Sequence, residues 1–233
     1  MKKDHKFLTF GFKGDYKIDN FEINPDKTHL EFNFENEFYN VDIPLTSKFN
    51  VYNYLTMMGI LHQYGIDIKK LVKYTEKLTP PKGRCETYKV NKGFAVVDYA
   101  HTPDAVEKVI TAYNELKKNR VITLVGCGGD RDPKKRPIMG EIATRLSDYV
   151  IFTNDNPRTE DPEMIMKDIL AGVKKDNYEV ILDRRKAIKH GIDIMEDDDI
   201  VLILGKGHED YQIIGKEKIH FSDIENVQNL IKE

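Results

Sequence analysis

The chain has little that could hold it together other than its own core. It contains two cysteines, Cys85 and Cys127, in 233 residues. Two are too few for a disulfide framework or a four-ligand zinc site. There is no stretch of ~18 apolar residues, and Met1-Lys-Lys-Asp-His5 does not begin a signal peptide, so no membrane partner is expected. Nor is there an excess of positive charge. The net charge is -3 and the pI is near 6.2, which leaves no basic footprint for nucleic acid. Charged residues make up 32% with both signs interspersed, as on an ordinary solvated surface. A soluble cytoplasmic chain with a sizeable core is the expectation.

What the sequence does contain is a change of period. Lys6–Phe12, Phe21–Ile23, His29–Phe34 and Glu37–Ile43 alternate or cluster apolar residues between turn signals such as Asn24-Pro-Asp-Lys27, and read as strands. From Asn50 the spacing of Val51, Tyr54, Leu55, Met58 and Leu61 is helical, and a second helix is expected over Asp67–Leu78. Thr79-Pro-Pro-Lys-Gly83 then breaks the chain and places a domain boundary between 1–79 and 80–233. Beyond it, strands at Phe94–Tyr99, Val121–Val125, Tyr149–Thr153, Tyr178–Leu182 and Ile200–Leu204 alternate with helices. Gln212–Ile214 and Lys218–Phe221 read as a hairpin before a closing helix. Near-continuously apolar strands separated by helices predict an α/β fold. It would be a Rossmann-like, mostly parallel sheet covered on both faces, preceded by a partial α+β domain.

Ligands of such sheets bind outside the carboxyl ends of the strands. Those ends carry Asp98-Tyr-Ala-His-Thr-Pro-Asp104, Gly126-Cys-Gly-Gly-Asp-Arg-Asp132, Asn154–Arg158, Asp183-Arg-Arg185 and Gly205-Lys-Gly-His-Glu-Asp210. The opposite ends carry Lys117-Lys-Asn-Arg120, Lys174-Lys-Asp176 and Glu196-Asp-Asp-Asp199, which read as plain solvated connections. That contrast marks a site. At its centre, Tyr149–Thr153 delivers Asp155, Asn156 and Arg158 to its tip, where Pro157 stops the strand. Arg131 and Arg158 offer forked guanidiniums to carboxylates, and Asp155 and Glu209 could pair ammonium groups. A ligand with carboxylates and amines at both ends would fit. The competing reading pairs Arg131 with Asp130 or Asp132, and Arg158 with Glu160, as surface bridges worth ~0–1 kcal/mol each.

Other chemistries have weaker support. Gly126-Cys-Gly-Gly129 resembles part of a dinucleotide loop that brings backbone close to a ligand, but Arg131 stands where the third glycine belongs. A cysteine hydrolase would need Cys127, His208 and Asp210 to meet, and no spacing supports that trio. Asp98, His101 and Asp104 lack a recognisable metal-ligand spacing.

Gly83-Arg84, the Asp98–Asp104 and Gly126–Asp132 stretches, Lys135-Arg-Pro137, Asp155-Asn-Pro-Arg158 and Gly205-Lys-Gly-His-Glu-Asp-Tyr-Gln212 follow one another in order. Together they resemble the C-terminal part of the Mur ligases, the amide ligases of peptidoglycan assembly, in the branch that adds meso-diaminopimelate. The resemblance implies that residues 1–79 end a central ATPase domain and 80–233 form the amino-acid-binding domain. It places Asn50 and Asn53 near adenine, Arg84 and Asp98 toward ATP, and His101 with Arg84 at the reacting phosphate. It places Arg131, Asp155, Asn156, Pro157, Arg158, Gly205 and Glu209 around meso-diaminopimelate or a close analogue. The implied reaction uses ATP and Mg²⁺ to convert the D-Glu carboxylate of UDP-MurNAc-L-Ala-D-Glu to an acyl phosphate, which the diamino acid attacks. A stand-alone diamino-acid-binding module without catalysis is the alternative.

The sequence departs from the family in one respect. No G-x-x-x-x-G-K-[ST] loop occurs, since Gly205-Lys206-Gly207-His208 has the wrong length and no hydroxyl after the lysine. The resemblance therefore implies a chain that opens partway through the central domain, with the Mg²⁺ ligands outside it. Phosphoryl transfer relies on such a loop and its metal. Purified chain given ATP, UDP-MurNAc-L-Ala-D-Glu and meso-diaminopimelate is expected to release no phosphate above the blank. Phosphate release matched by tripeptide product would overturn that expectation.

Overall fold

A computed structural model describes residues 7–90 and 92–232. The chain divides into two compact units, 1–80 and 81–233. Lys6, where the first expected strand begins, and Met1–His5 lie outside the described residues. Among those described, no helix is long and apolar enough to cross a membrane.

The first unit is a four-stranded sheet in sequence order with two helices. Its strands are β1 (Phe10–Gly11), β2 (Tyr16–Ile23), β3 (Thr28–Phe34) and β4 (Glu37–Ile43), and its helices are α1 (Lys48–Gln63) and α2 (Ile68–Thr75). β3 alternates strictly, so Leu30, Phe32 and Phe34 face the core with Tyr16, Ile18, Val41 and Ile43. Val51, Tyr54, Leu55 and Met58 of α1 pack on that face at the period that predicted the helix. The expected strand Phe21–Ile23 extends back to Tyr16. Lys17, Asp19 and Asn20 hide its alternation, and a bulge at Ile18/Asn20 shifts the phase. The strand expected over Lys6–Phe12 shrinks to Phe10–Gly11, paired parallel to β2.

The second unit holds a six-stranded sheet. Its elements are β5 (Glu86–Val90), β6 (Gly93–Asp98), α3 (Pro103–Asn114), β7 (Val121–Val125), α4 (Lys135–Leu146), β8 (Tyr149–Phe152), α5 (Pro162–Leu170), β9 (Tyr178–Val180), α6 (Arg184–Asp193), β10 (Asp199–Leu204), the hairpin β11 (Tyr211–Ile214) and β12 (Glu217–His220), and α7 (Asp223–Lys232). Strand order is β5-β6-β10-β7-β8-β9, parallel except for β5. β5 was not expected. It is an antiparallel edge strand whose charged residues leave only Val90 buried, so it shows no apolar run. Val121, Val125, Val150, Ile200 and Leu202 turn to a core shared with α3, α4 and α5. Ile122, Leu124, Ile151, Val201 and Ile203 turn to Ala187, Ile188 and Val227 on the other face. Both faces are covered, as the apolar strands required.

β10 inserts between β6 and β7, so the direction of winding reverses there and leaves a crevice at the strand tips. The opposite edge is less bland than its sequence suggests. Asp199 is fully buried and accepts from Arg120 Nε and Nη2 and from the backbone N–H groups of Arg120 and Glu196. These close the ends of β7 and β10.

At the tip edge one ion pair joins three elements. Arg184, at the head of α6, and Asp223, at the head of α7, are both fully buried and form a two-pronged pair at 2.8 and 2.7 Å. Arg184 also donates to the Leu204 carbonyl at 3.0 Å, where β10 ends. Burial works against its positive charge, but Asp223, with Asp155 and Glu209 farther off, outweighs this and holds Arg184 above its ordinary pKa. Removing one partner of such a pair leaves an uncompensated buried charge. Asp223→Ala should lower unfolding free energy by about 3–5 kcal/mol, measured in urea, with the double variant Arg184→Met/Asp223→Leu losing far less. Equal losses for the two would show that the pair's charge is not what matters.

Candidate functional site

The path of the chain after β8 organises the site. Asp155, Asn156 and Pro157 are buried, and Arg158 follows in the left-handed region at φ 54°. The hairpin fixes this turn. Arg158 N donates to Ile213 O at 3.0 Å, and Gly215 N donates back to Arg158 O at 2.6 Å. Gln212 Nε2 donates to Asp155 O at 2.6 Å. Asn156 Oδ1 accepts from Ile213 N at 2.9 Å and from Lys206 Nζ at 3.2 Å, which settles the orientation of its amide.

The glycine loop after β7 serves the same turn. A Cβ on Gly129 would lie 1.9 Å from Pro157 O, and one on Gly126 2.1 Å from Thr153 O. Gly126 and Gly129 thus let two neighbouring strand tips touch, while Gly128 between them lines a cleft. Arg136, buried beneath the loop, donates to Gly128 O at 3.3 Å and pairs Glu160 and Asp168 at 2.8 and 2.9 Å.

This cleft, of about 450 Å³, opens above these loops. Arg131, Asp155, Asn156, Arg158, Gly205, Glu209 and His101 all line it, as the strand-tip rule anticipates. Tyr99, Thr102, Lys135 and Tyr211 line it as well; each stands in a motif noted in the sequence, but none was given a role there. Pro157 is not at its surface and acts by turning the chain. A second hollow of about 300 Å³, near Val90, Lys92 and Leu230, lies away from these residues.

The electrostatics decide between the two readings of the arginines. Glu160 is spent on Arg136, so it is not Arg158's partner. Arg158 Nη1 donates to the carbonyls of Gly129 at 2.8 Å and Asn156 at 3.4 Å, and Arg131 Nη1 to the carbonyl of Asp130 at 2.9 Å. Among the described residues neither guanidinium forms an ion pair. Both remain open to an anion.

The two acids differ. Glu209 already has a cation, with Oε2 3.0 Å from Lys206 Nζ and 3.0 Å from Asn156 Nδ2. Burial pushes its carboxyl up, but Lys206 and these hydrogen bonds hold it below the usual glutamate range. The carboxylate of Asp155 accepts no hydrogen bond among the described residues, and a Cβ on Gly205 (φ 120°) would sit 2.7 Å from its Oδ2. Burial raises the Asp155 carboxyl above its ordinary value, against the pull of Arg184 and Lys206. Lys206, which the sequence suggests only as a failed phosphate-loop lysine, is fully buried at the centre of this network.

The residues expected around the nucleotide have partners of their own. Asp98 is buried and accepts from Cys85 N and Ala100 N, each at 2.8 Å, bracing the tip of β6. Arg84 stacks 4.9 Å over the Tyr99 ring, which also meets His101 at 4.6 Å and His208 at 5.0 Å. His101 is exposed, with Nδ1 2.7 Å from Tyr99 O. In the first unit, Asn50 Nδ2 donates to Thr46 O at 2.6 Å and Asn53 Nδ2 to Asn50 Oδ1 at 3.1 Å, which ties the two side chains together. The Cys127 thiol is buried and pushed up to about 12 by burial, so it is no nucleophile.

The family model described as the Mur ligase, glutamate ligase domain, matches residues 83–207. Over 231 residues the chain is 45% identical to the UDP-N-acetylmuramoyl-L-alanyl-D-glutamate–2,6-diaminopimelate ligase 1 of Clostridium acetobutylicum, covering 97% of this chain and 48% of that protein. A solved structure of a ligase of the same description superimposes with a TM-score of 0.78 at 36% identity, over 97% of this chain and 48% of the other. The MurF ligase of Thermotoga maritima in complex with ADP shares the fold, with a TM-score of 0.60 at 17% identity over 97% and 48%. The chain spans about half the length of the curated relatives it matches.

A buried carboxylate without a partner costs stability once it ionises. Because the folded value of Asp155 is raised, the cost is absent below the unfolded value of about 4 and complete above the folded one. Asp155→Asn should therefore raise the urea midpoint at neutral pH, by a margin that shrinks as pH falls toward about 4. A variant less stable than its parent at neutral pH would show that the carboxylate has a partner after all.

Proposed function

The chain belongs to the Mur ligase family, and from that premise we propose that residues 81–233 bind the amino acid in ATP-dependent addition of meso-diaminopimelate to UDP-MurNAc-L-Ala-D-Glu. One observation carries the choice of amino acid. Two guanidiniums without ion-pair partners and a buried carboxylate without a hydrogen-bond donor face one cleft. Meso-diaminopimelate has two carboxylates and two ammonium groups, so it complements that set of charges. A ligand ammonium would supply the counter-charge Asp155 lacks. Arg158, anchored by one arm to the Gly129 carbonyl, would fork onto a carboxylate with its remaining donors.

The chemistry follows from leaving groups. A carboxylate oxygen leaves poorly, so the D-Glu carboxylate is first phosphorylated. The amine then attacks the acyl carbon, the carbon–oxygen bond to phosphate breaks, and phosphate departs. In this reading Asn50 and Asn53 serve the adenine, and Arg84 and His101, gathered around Tyr99, serve the transferring phosphate. Asp98 supports that side by holding Cys85 and Ala100 in place. Among the described residues no three His, Cys, Asp or Glu side chains are grouped so as to hold a metal ion together.

The test is calorimetry of the chain with meso-diaminopimelate, L-lysine serving as control. Saturable binding selective for meso-diaminopimelate is expected. Arg158→Ala should cost on the order of 2–5 kcal/mol of that binding and leave lysine nearly unaffected, because lysine has no second carboxylate. Equal losses for both ligands would remove Arg158 from carboxylate recognition.

A further inference from the structure

The cleft's polar residues rest on a cation that does not face the ligand. Lys206 is fully buried just past β10, in a tip loop from which Glu209, with Tyr211 at the start of β11, lines the cleft. Its ammonium donates to Asn156 Oδ1 at 3.2 Å and to Glu209 Oε2 at 3.0 Å. It also lies 5.4 Å from the centre of the Tyr211 ring. Asn156 returns a bond to the same Glu209 oxygen at 3.0 Å, and the Tyr211 hydroxyl donates to Glu209 Oε1 at 3.4 Å. With Ile213 N donating at 2.9 Å, both acceptor positions of the Asn156 amide are occupied from inside the protein.

We propose that Lys206 is a positioning residue for the amino-acid cleft, its ammonium locking Glu209 and Asn156 into one arrangement before the ligand arrives. The assignment rests on the reading of the cleft as an amino-acid site. It follows from the geometry of a closed triangle: ammonium to amide oxygen, amide nitrogen to carboxylate, carboxylate to ammonium. Each corner is held by the other two, and only the carboxylate corner has lone pairs left toward the cleft. Without the ammonium, Glu209 would keep its burial and lose its main counter-charge. Asn156 would lose one of the two donors that fix its amide.

A buried lysine can also simply fill space, so the test uses pH. The charged groups around Glu209 are Lys206 and Tyr211 on its own loop, Asp155 and Arg158 after β8, and Arg184 with Asp223 at the heads of α6 and α7. In the ligand-free 233-residue chain, a carbon-13 NMR titration should place the Glu209 carboxyl below the ordinary value of about 4.3, and in Lys206→Met above it. A parent midpoint at or above the ordinary value overturns the proposal, and that measurement needs no variant to fold. In calorimetry with meso-diaminopimelate, Lys206→Met should bind roughly 10-fold or more weakly, with the deficit widening from about pH 7.5 to about pH 5.5 as Glu209 takes up its proton. A deficit independent of pH would make Lys206 a packing residue only. If the parent chain does not bind meso-diaminopimelate, the amino-acid reading fails, and the NMR midpoints still decide whether Lys206 holds Glu209.

Discussion

Everything polar in the cleft depends on one turn, residues 155–158, ending with an arginine in left-handed backbone conformation. That conformation costs an ordinary residue roughly 1–2 kcal/mol, so the surroundings must impose it. Here the hairpin bonds the turn from one side through Ile213 and Gly215. The glycine loop lies against Pro157 on the other side with no room for a side chain. The direction of Arg158 follows from this, because its Nη1 reaches the Gly129 carbonyl at 2.8 Å only when the backbone turns back. Asp155 and Asn156 are buried by the same turn. The strain is local, and its product is a guanidinium aimed at the cleft.

The charges around that turn fall into two kinds. Arg184, Arg136 and Lys206 are buried and matched with acids within the protein: Asp223 for the first, Glu160 and Asp168 for the second, Glu209 for the third. They hold loops. Arg131, Arg158 and Asp155 are left unmatched and face the cleft. The division explains why counting charged residues at strand tips overstates the ligand's share. About half of the notable charges there are structural, and only geometry separates them.

Much of this was legible in the sequence. The parallel sheet could be read because its central strands are buried on both faces and so spell continuous apolar runs, as in Val121–Val125 and Ile200–Leu204. The cleft could be read because a strand-tip rule needs only the ends of those runs. β5 could not, since an edge strand with one buried residue has no period to detect. Lys206 could not either. A lysine between glycines invites comparison with a phosphate loop, and nothing local says that its partner lies fifty residues earlier, at Asn156. Its opposite-charge neighbour three residues on, Glu209, was the one available signal.

The glycine loop shows why motif and mechanism can part company. Read alone, Gly126-Cys-Gly-Gly129 suggests backbone laid against a phosphate. In the fold, Gly126 and Gly129 are required because carbonyls of Thr153 and Pro157 stand where their Cβ atoms would be. A Cβ on Gly128 would lie 2.8 Å from Arg158 Nη1. The loop is thus shaped around the neighbouring tip and its arginine. Arg131, which breaks the dinucleotide pattern, is then the residue this loop contributes to the cleft. A glycine cluster at a strand tip therefore argues for a ligand only after the adjacent tip has been placed. Here the adjacent tip accounts for Gly126 and Gly129, while Gly128 lines the cleft beside Arg158.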